Sequence, residues 1–299
     1  MSVQDQIGQG RLVCPASREP LSIQGDHLVS AGGTRYYLTD GIPLLLEDVD
    51  QAREYVARSD RMVAEYESAA PDAQAPGLLG RLARQAQSVL TRGGRDYRSE
   101  RSEEAFREIF DGVEPGSLCI SIGGGPMREH PSLVNVNIGP FPNVDIVADA
   151  HHLPYADASV DAIFCEAVLE HLAQPHEAVK EMLRVCRSGA SVYANTPFMQ
   201  AYHGYPNHFQ NFTLSGHEQL FANAGFHVRE SGTAVGPVFT LFDLGGRFIS
   251  EYSPRPVRPI LQVALLGLRY LLLRLSRRLT NRQNAYVLAS TTYVVAQKA

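Results

Sequence analysis

From Ser117 onward the chain alternates short apolar runs with longer runs of mixed polarity, and this alternation limits the possible folds more than any other feature. SLCISI opens the series. VNVNI, VDIVAD, VDAIFCEAV, HEAVKEMLRVCR, SVYANTP, SGHEQLFANAG and FHVRESG follow. The apolar runs have strand length, and the mixed runs carry the spacing of amphipathic helices. Strands that alternate with helices predict an α/β fold, a mainly parallel sheet covered on both faces. A charged helix over Ser99–Phe110 leads into the first strand. One connection departs from the pattern: only GPFPN separates VNVNI from VDIVAD. A parallel crossover normally takes about a dozen residues or more. Either the helix is missing there, or the two strands are not neighbours.

The chain before Ser99 has a different texture. LVCPASREPLSI and HLVSAGGTRYYLTDGIPLLL mix apolar residues with turn formers and predict short strands, a small β-rich N-terminal unit over residues 1–48. DQAREYVARSDRMVAEYES (50–68) predicts a helix with Tyr55, Met62 and Tyr66 on one face. A linker over 69–95 follows, with a short helix around 78–90. The organisation expected is therefore a β unit over 1–48, a helix and linker over 49–95, and an α/β domain over 96–299. A Leu/Arg-rich helical insertion falls near 257–280, and AYVLASTTYVVAQK supplies a final strand.

Bulk properties exclude several classes. A net charge of -5 gives no global footprint for nucleic acid, and no DNA partner is expected. Cys14, Cys119, Cys165 and Cys186 are scattered without paired metal-ligand spacing, so no metal site is expected. Unpaired thiols and an N-terminus (MSVQDQIGQGRL) without an apolar signal segment point to the cytoplasm.

SLCISIGGGP places Gly123, Gly124 and Gly125 directly after a buried strand, where a chain without Cβ atoms can turn sharply and approach a ligand. The alternative is a tight turn with no ligand. A dinucleotide fingerprint needs a third glycine where Arg128 stands, and no Gly-Lys-Ser/Thr follows, so nicotinamide and nucleoside-triphosphate readings lose ground. Asn137, with Asn135 as the second candidate, closes the next strand and could meet ribose hydroxyls or simply cap a turn. Asp149 follows a third strand, where its carboxylate could accept from an adenine amino group.

Taken together, ISIGGGP, VADAHHLPYADASVDAIFCEAVLEHL, HEAVKEMLRVCRSGASVYANTP and TTYVVAQK resemble the class I S-adenosylmethionine-dependent methyltransferases, in their branch that modifies small molecules and glycans. The resemblance implies a Rossmann-like seven-stranded sheet whose last strand runs antiparallel, with S-adenosylmethionine at the carboxyl ends of the first strands. Carried over by position, Gly123 and Gly125, with Gly124 between them, would approach the cofactor's amino-acid part. Asn137 would face the ribose, Asp149 and Ala150 would flank the adenine, and Glu166 would line the pocket after the fourth strand. The family usually has an acidic residue where Asn137 stands, and the GGGP loop implies a short or altered helix after it.

Methyl transfer needs orientation and exclusion of water, because the cofactor carries the reactivity. An oxygen acceptor often needs a base as well, and histidine suits that role. The loop after the fifth strand, NTPFMQAYHGYPNHFQNFT, resembles a methyltransferase subset with a PF…YH…P…F-T arrangement. It makes His203 the first base candidate and His208 the second; the alternative is that both histidines only hold the loop. Glu170–His171 reads as a helix-side polar pair without a catalytic role.

At the N-terminus, CPASREPL…YYLTDGIPLLL resembles the zinc-ribbon domain of tRNA-methyltransferase activator proteins. Cys14 remains from that pattern, while Ser17, Val29 and Gly32 occupy the other ligand positions, so no zinc is expected. PILQVALLGLRYLLLRLSRRL has no uncharged run of about 18 residues and is not read as a membrane span. It predicts a core or lid helix, or a helix on a membrane surface. The expected function is methylation of a small molecule or glycan at oxygen. The alternatives are a degenerate methyltransferase-fold binding protein and an RNA or protein methyltransferase. Oligomeric state is not legible.

Overall fold

The computed structural model describes residues 2–46, 97–124, 128–204 and 207–299. The helix expected over 50–68, the linker over 69–95 and Gly125 lie outside the described residues. The described elements run α1 (Val3–Gly8), β1 (Leu21–Gln24), β2 (His27–Ser30), β3 (Arg35–Thr39), β4 (Ile42–Leu45), α2 (Glu100–Phe110), β5 (Cys119–Ile122), β6 (Leu133–Asn137) and β7 (Ile146–Ala148). They continue with β8 (Val160–Glu166), a 3-10 turn (Leu169–His171), α3 (Pro175–Val185), β9 (Cys186–Pro197), α4 (Leu214–Ala224) and β10 (His227–Val235). The chain ends in α5 (Pro237–Tyr252), α6 (Arg258–Thr280), a 3-10 turn (Ala285–Leu288) and β11 (Thr291–Gln297).

Local chemistry explains several boundaries. Ser99 caps α2 by accepting from the Ser102 N–H, and Glu100 and Glu103 favour its first turn. Thr213 caps α4 in the same way through the Gly216 N–H, and Gly225 ends that helix with φ +107°. Helix α5 is not evident in the sequence. Gly245 and Gly246 sit in its interior and lower helix propensity, yet the helix forms against its neighbour α6.

Among the described residues the strands form one sheet of eleven, in the order β1-β2-β3-β4-β7-β6-β5-β8-β9-β11-β10. The seven from β7 to β10 are the sheet that the resemblance implies. β7, β6, β5, β8 and β9 are mutually parallel, and β11 inserts antiparallel between β9 and β10. The short GPFPN connection joins true neighbours: Val136 pairs with Ile146 and Asn137 with Val147, with no helix between β6 and β7. Arg128 and Asn135 brace this helix-free crossover. Arg128 pairs with Asp145 at 2.8 Å and donates to the carbonyls of Leu133 and Asn143. Asn135 donates to the Asn143 carbonyl at 3.1 Å.

Period-two alternation sorts the strand residues between two cores. Cys119, Leu133, Ala162, Phe164 and Tyr193 face Ala105 and Phe110 of α2. Ile120, Val134, Ile163, Cys165 and Val192 face Val179 and Met182 of α3 and Phe221 of α4. The N-terminal strands continue this sheet: β4 runs parallel to β7, with Leu44 opposite Val147 and Leu45 opposite Ala148. Leu12, Cys14, Leu28, Tyr36 and Leu45 join the same core as α3. The Cys14 thiol lies 2.9 Å from the Tyr36 hydroxyl.

The Leu/Arg-rich segment is helix α6. It packs on α5 and is not a core helix, because only 6% of its most apolar 18-residue window is buried. By length and composition it could cross a membrane, although its arginines interrupt any uncharged run.

Candidate active site

The residues that sequence reasoning assigned to the cofactor follow the carboxyl ends of four adjacent parallel strands. Gly123 and Gly124 follow β5, Asn137 closes β6, Asp149 and Ala150 follow β7, and Glu166 closes β8. Ligands of open α/β sheets bind at that edge. Gly123 has φ +77°, and its N–H donates to the Val136 carbonyl at 2.9 Å. A Cβ there would stand 2.0 Å from Cγ2 of Val168, so the glycine lets the loop after β5 pack against the turn after β8. Asn137 is buried, and its side-chain oxygen accepts from the Gly139 N–H at 3.4 Å, which ties it to its own turn.

Asp149 receives the backbone N–H of His151 at 2.9 Å and the His151 ring at 2.7 Å. Both contacts fall on Oδ1, which leaves Oδ2 to accept from a ligand. Burial alone would raise the Asp149 carboxyl, but the His151 hydrogen bonds outweigh it and hold the group below its ordinary range. Arg184 fixes the rest of this loop. It donates to the carbonyls of Tyr155 at 2.7 Å and Leu153 at 2.9 Å while pairing with Glu181 and Asp157. Glu166 accepts from Asn195 at 2.8 Å and lies 3.5 Å from Arg98; burial pushes its carboxyl upward and Arg98 opposes that shift.

Beyond Glu166 lies a cavity of about 580 Å³, built at the ends of β8, β9 and β10 and the start of β11. Phe239 of α5 and Arg269 of α6 help enclose it, and Arg269 is held by the Tyr97 hydroxyl at 2.8 Å. Three buried polar atoms of its lining residues have no hydrogen-bond partner: Glu170 Oε1, Asn195 Oδ1 and Thr291 Oγ1. Buried polar groups are normally satisfied, so such a concentration marks a place for a polar ligand.

His203 and His208 lie beside this cavity's Glu170. Glu170 is wholly buried, and its Oε1 is 3.7 Å from His171 Nε2 and 3.8 Å from His203 Nε2. The Glu170 carboxylate raises the His203 pKa, against the opposing effect of burial. His208 has both ring nitrogens engaged: Nδ1 accepts from the His203 backbone N–H at 3.2 Å, and Nε2 meets Asn211 at 2.7 Å. Sequence reasoning set Glu170–His171 aside. The structure puts both on the turn after β8 and joins them to His203, 33 positions after Glu170. A Glu-His pair directly after a buried strand end was the available signal, but its partner is remote in sequence.

Residues 132–194 match the family model described as a methyltransferase domain. Over this stretch, about a fifth of the chain, the protein is similar to methyltransferase domains. The match spans β6 to β9, the stretch that holds Asn137, Asp149, Glu166 and Glu170. No curated protein matches the chain. Solved structures with a similar shape include the Haloferax volcanii complex of the Trm112 methyltransferase activator with a methyltransferase. There the identity is 16%, with 71% of this chain and 94% of that one covered and a TM-score of 0.41. An S-adenosylmethionine-dependent methyltransferase from Thermotoga maritima is 14% identical over 73% of this chain and 97% of that one, with a TM-score of 0.41. Geranyl diphosphate C-methyltransferase from Streptomyces coelicolor A3(2) is 8% identical over 67% of this chain and 78% of that one, with a TM-score of 0.39.

Proposed function

We propose that this methyltransferase domain methylates a hydroxyl oxygen of a small molecule or glycan. The observation that carries the reading is the set of partnerless buried oxygens on Glu170, Asn195 and Thr291 around one cavity. Acceptor atoms in such a place call for a ligand that brings O–H donors, as a polyhydroxylated acceptor does. Gly123, Gly124, Asn137, Asp149, Ala150 and Glu166 supply the cofactor side of the site, Asp149 through its Oδ2. S-adenosylmethionine supplies an electrophilic methyl group. Glu166 and Asn195, linked to each other, stand where the cofactor side passes into the cavity. The Glu170–His203 pair is the group that relieves the acceptor hydroxyl of its proton, and His208 holds the loop that carries His203.

Titration calorimetry and product mapping test this reading. The full chain should bind S-adenosylmethionine, and Asp149→Ala should weaken binding about tenfold, the effect of losing one hydrogen bond to a charged group. Labelled methyl should appear as an ether on a hydroxylated acceptor. No binding at about millimolar cofactor would sink the proposal. That outcome would favour a binding protein with a degenerate pocket, a reading supported by the space at Gly123 being filled by Val168.

The exposed side of α6 supports a further element, contact with an anionic membrane surface. Ile260, Val263, Tyr270 and Leu271 are exposed there. The helix carries Arg258, Arg269, Arg274, Arg277 and Arg278 with no acidic residue. Four buried, unpaired cysteines accord with a reducing, cytoplasmic setting.

A further inference from the structure

We infer that Glu170, His171 and His203 form a binding site for one divalent transition-metal cation at the wall of the acceptor cavity. The ligand atoms they offer, Glu170 Oε1, His171 Nε2 and His203 Nε2, lie within 4.8 Å of one another.

Proton placement distinguishes this cluster from an ordinary polar contact. His171 Nδ1 lies 2.5 Å from the Asn207 carbonyl, and His203 Nδ1 lies 3.0 Å from the Ala201 carbonyl. A carbonyl can only accept, so both Nδ1 atoms carry hydrogen. In a neutral ring the lone pair is then on Nε2. Both Nε2 atoms lie within 3.8 Å of Glu170 Oε1, an acceptor with no hydrogen-bond partner of its own among the described residues. Without a proton on either Nε2, three acceptors converge, and one cation on their shared centre satisfies all three, replacing the proton that Glu170 otherwise favours on His203.

The surroundings hold the ligands as a metal site requires. Metal-binding histidines generally donate their second ring N–H to a carbonyl or carboxylate, which sets tautomer and orientation. Both rings do so here. Glu170 Oε2 accepts from Thr196 at 3.3 Å, and the Glu170 carbonyl accepts from the Phe209 N–H at 2.8 Å. The Glu170 side chain is thereby fixed with Oε1 directed at the histidines. The distances of 3.7 and 3.8 Å from Oε1 to the two nitrogens lie slightly above the ~3.3 Å edge of a tetrahedron with ~2.0–2.1 Å bonds. A small contraction closes these two edges, and the two histidine nitrogens, within 4.8 Å of each other, close the third by rotation of their rings. Two imidazoles and a carboxylate suit zinc, cobalt or manganese, with one position left open. Glu170 also lines the cavity, so the open position can receive an acceptor hydroxyl and lower its pKa. This consequence rests on the methylation reading and makes His203 a ligand when the ion is present. Ion binding itself does not depend on that reading.

The test titrates tag-free, full-length protein with Co²⁺, followed by calorimetry and visible absorption. One equivalent should bind with the intense bands of a low-coordinate cobalt centre, and the wild-type melting temperature should rise with the ion. Glu170→Gln and His203→Ala should each weaken binding about tenfold or more. Lack of saturable binding by the wild type at about 1 mM Co²⁺ overturns the inference whether or not the variants fold. Binding that the two substitutions leave unchanged overturns it as well. A parallel metal-free titration with S-adenosylmethionine separates the two proposals. Cofactor binding without cobalt binding ends this inference alone, and cobalt binding without cofactor binding ends the methylation reading alone.

Discussion

Replacing Gly123 by alanine tests why a glycine stands between β5 and the turn after β8. Two independent penalties follow from the structure. Gly123 has φ +77°, and the left-handed region disfavours a residue with a Cβ by about 1–2 kcal/mol. The new Cβ would also lie 2.0 Å from Val168 Cγ2, and an overpacked site of that kind loses about 1–3 kcal/mol more. Gly123→Ala should therefore lose about 2–5 kcal/mol in urea unfolding. Val168→Ala removes the obstructing methyl groups. In the double variant the steric penalty disappears while the backbone penalty stays, so it should be about 1–3 kcal/mol more stable than the sum of the single losses predicts. Losses that add within about 0.5 kcal/mol would refute the reasoning, because Val168 would then not be what excludes a side chain. The double variant's affinity for S-adenosylmethionine adds a functional readout. Recovered stability without recovered affinity would show that the glycine also serves the ligand.

Three further outcomes are expected. His217 is fully buried, its Nε2 has no hydrogen-bond partner, and burial lowers its pKa to about 3. Its depressed folded-state value means stability is intact above the unfolded pKa of ~6.5 and drains away as pH falls from there toward 3, with about 2 kcal/mol gone by roughly pH 5. His217→Asn should flatten the pH dependence over that window; parallel wild-type and variant curves would exclude His217 as its source. Arg184→Ala strips two carbonyls and two carboxylates of a common donor, so unfolding experiments should show a loss of about 3 kcal/mol, and cofactor affinity should fall as the Asp149 loop loosens. The full chain should co-sediment with anionic vesicles at low salt, and R274Q/R278Q should weaken this about tenfold or more, at ~1 kcal/mol per arginine; an unchanged pellet would remove those residues from the contact.

How much of this was legible in sequence depended on whether an interaction is local. SLCISI and VDAIFCEAV announced buried central strands because the consecutive apolar residues Leu118–Ile120 and Ala162–Cys165 need cover on both faces. The helix over Ser99–Phe110 could be read because its charged pattern is local, and the structure shows Ser99 as its cap. The GPFPN connection left two choices, and only pairing could decide between them. Helix α5 escaped notice because its stability comes from packing on α6, which outweighs Gly245 and Gly246. The site divided along the same line. Asn137, Asp149 and Glu166 could be placed at strand ends because each follows its own apolar run. The meeting of Glu170 with His203 could not be read, because it is created where the turn after β8 meets the loop after β9.

The pairing of β4 with β7 has a practical consequence for dissecting this molecule. A cut that kept only the residues from 96 onward would strip the partner from one side of β7, a strand of three buried residues. Unpaired strand edges recruit other chains through their free N–H and C=O groups. The shortened product would be prone to self-association, and poor solubility after such a deletion would report on a naked strand rather than on the catalytic role of the removed residues.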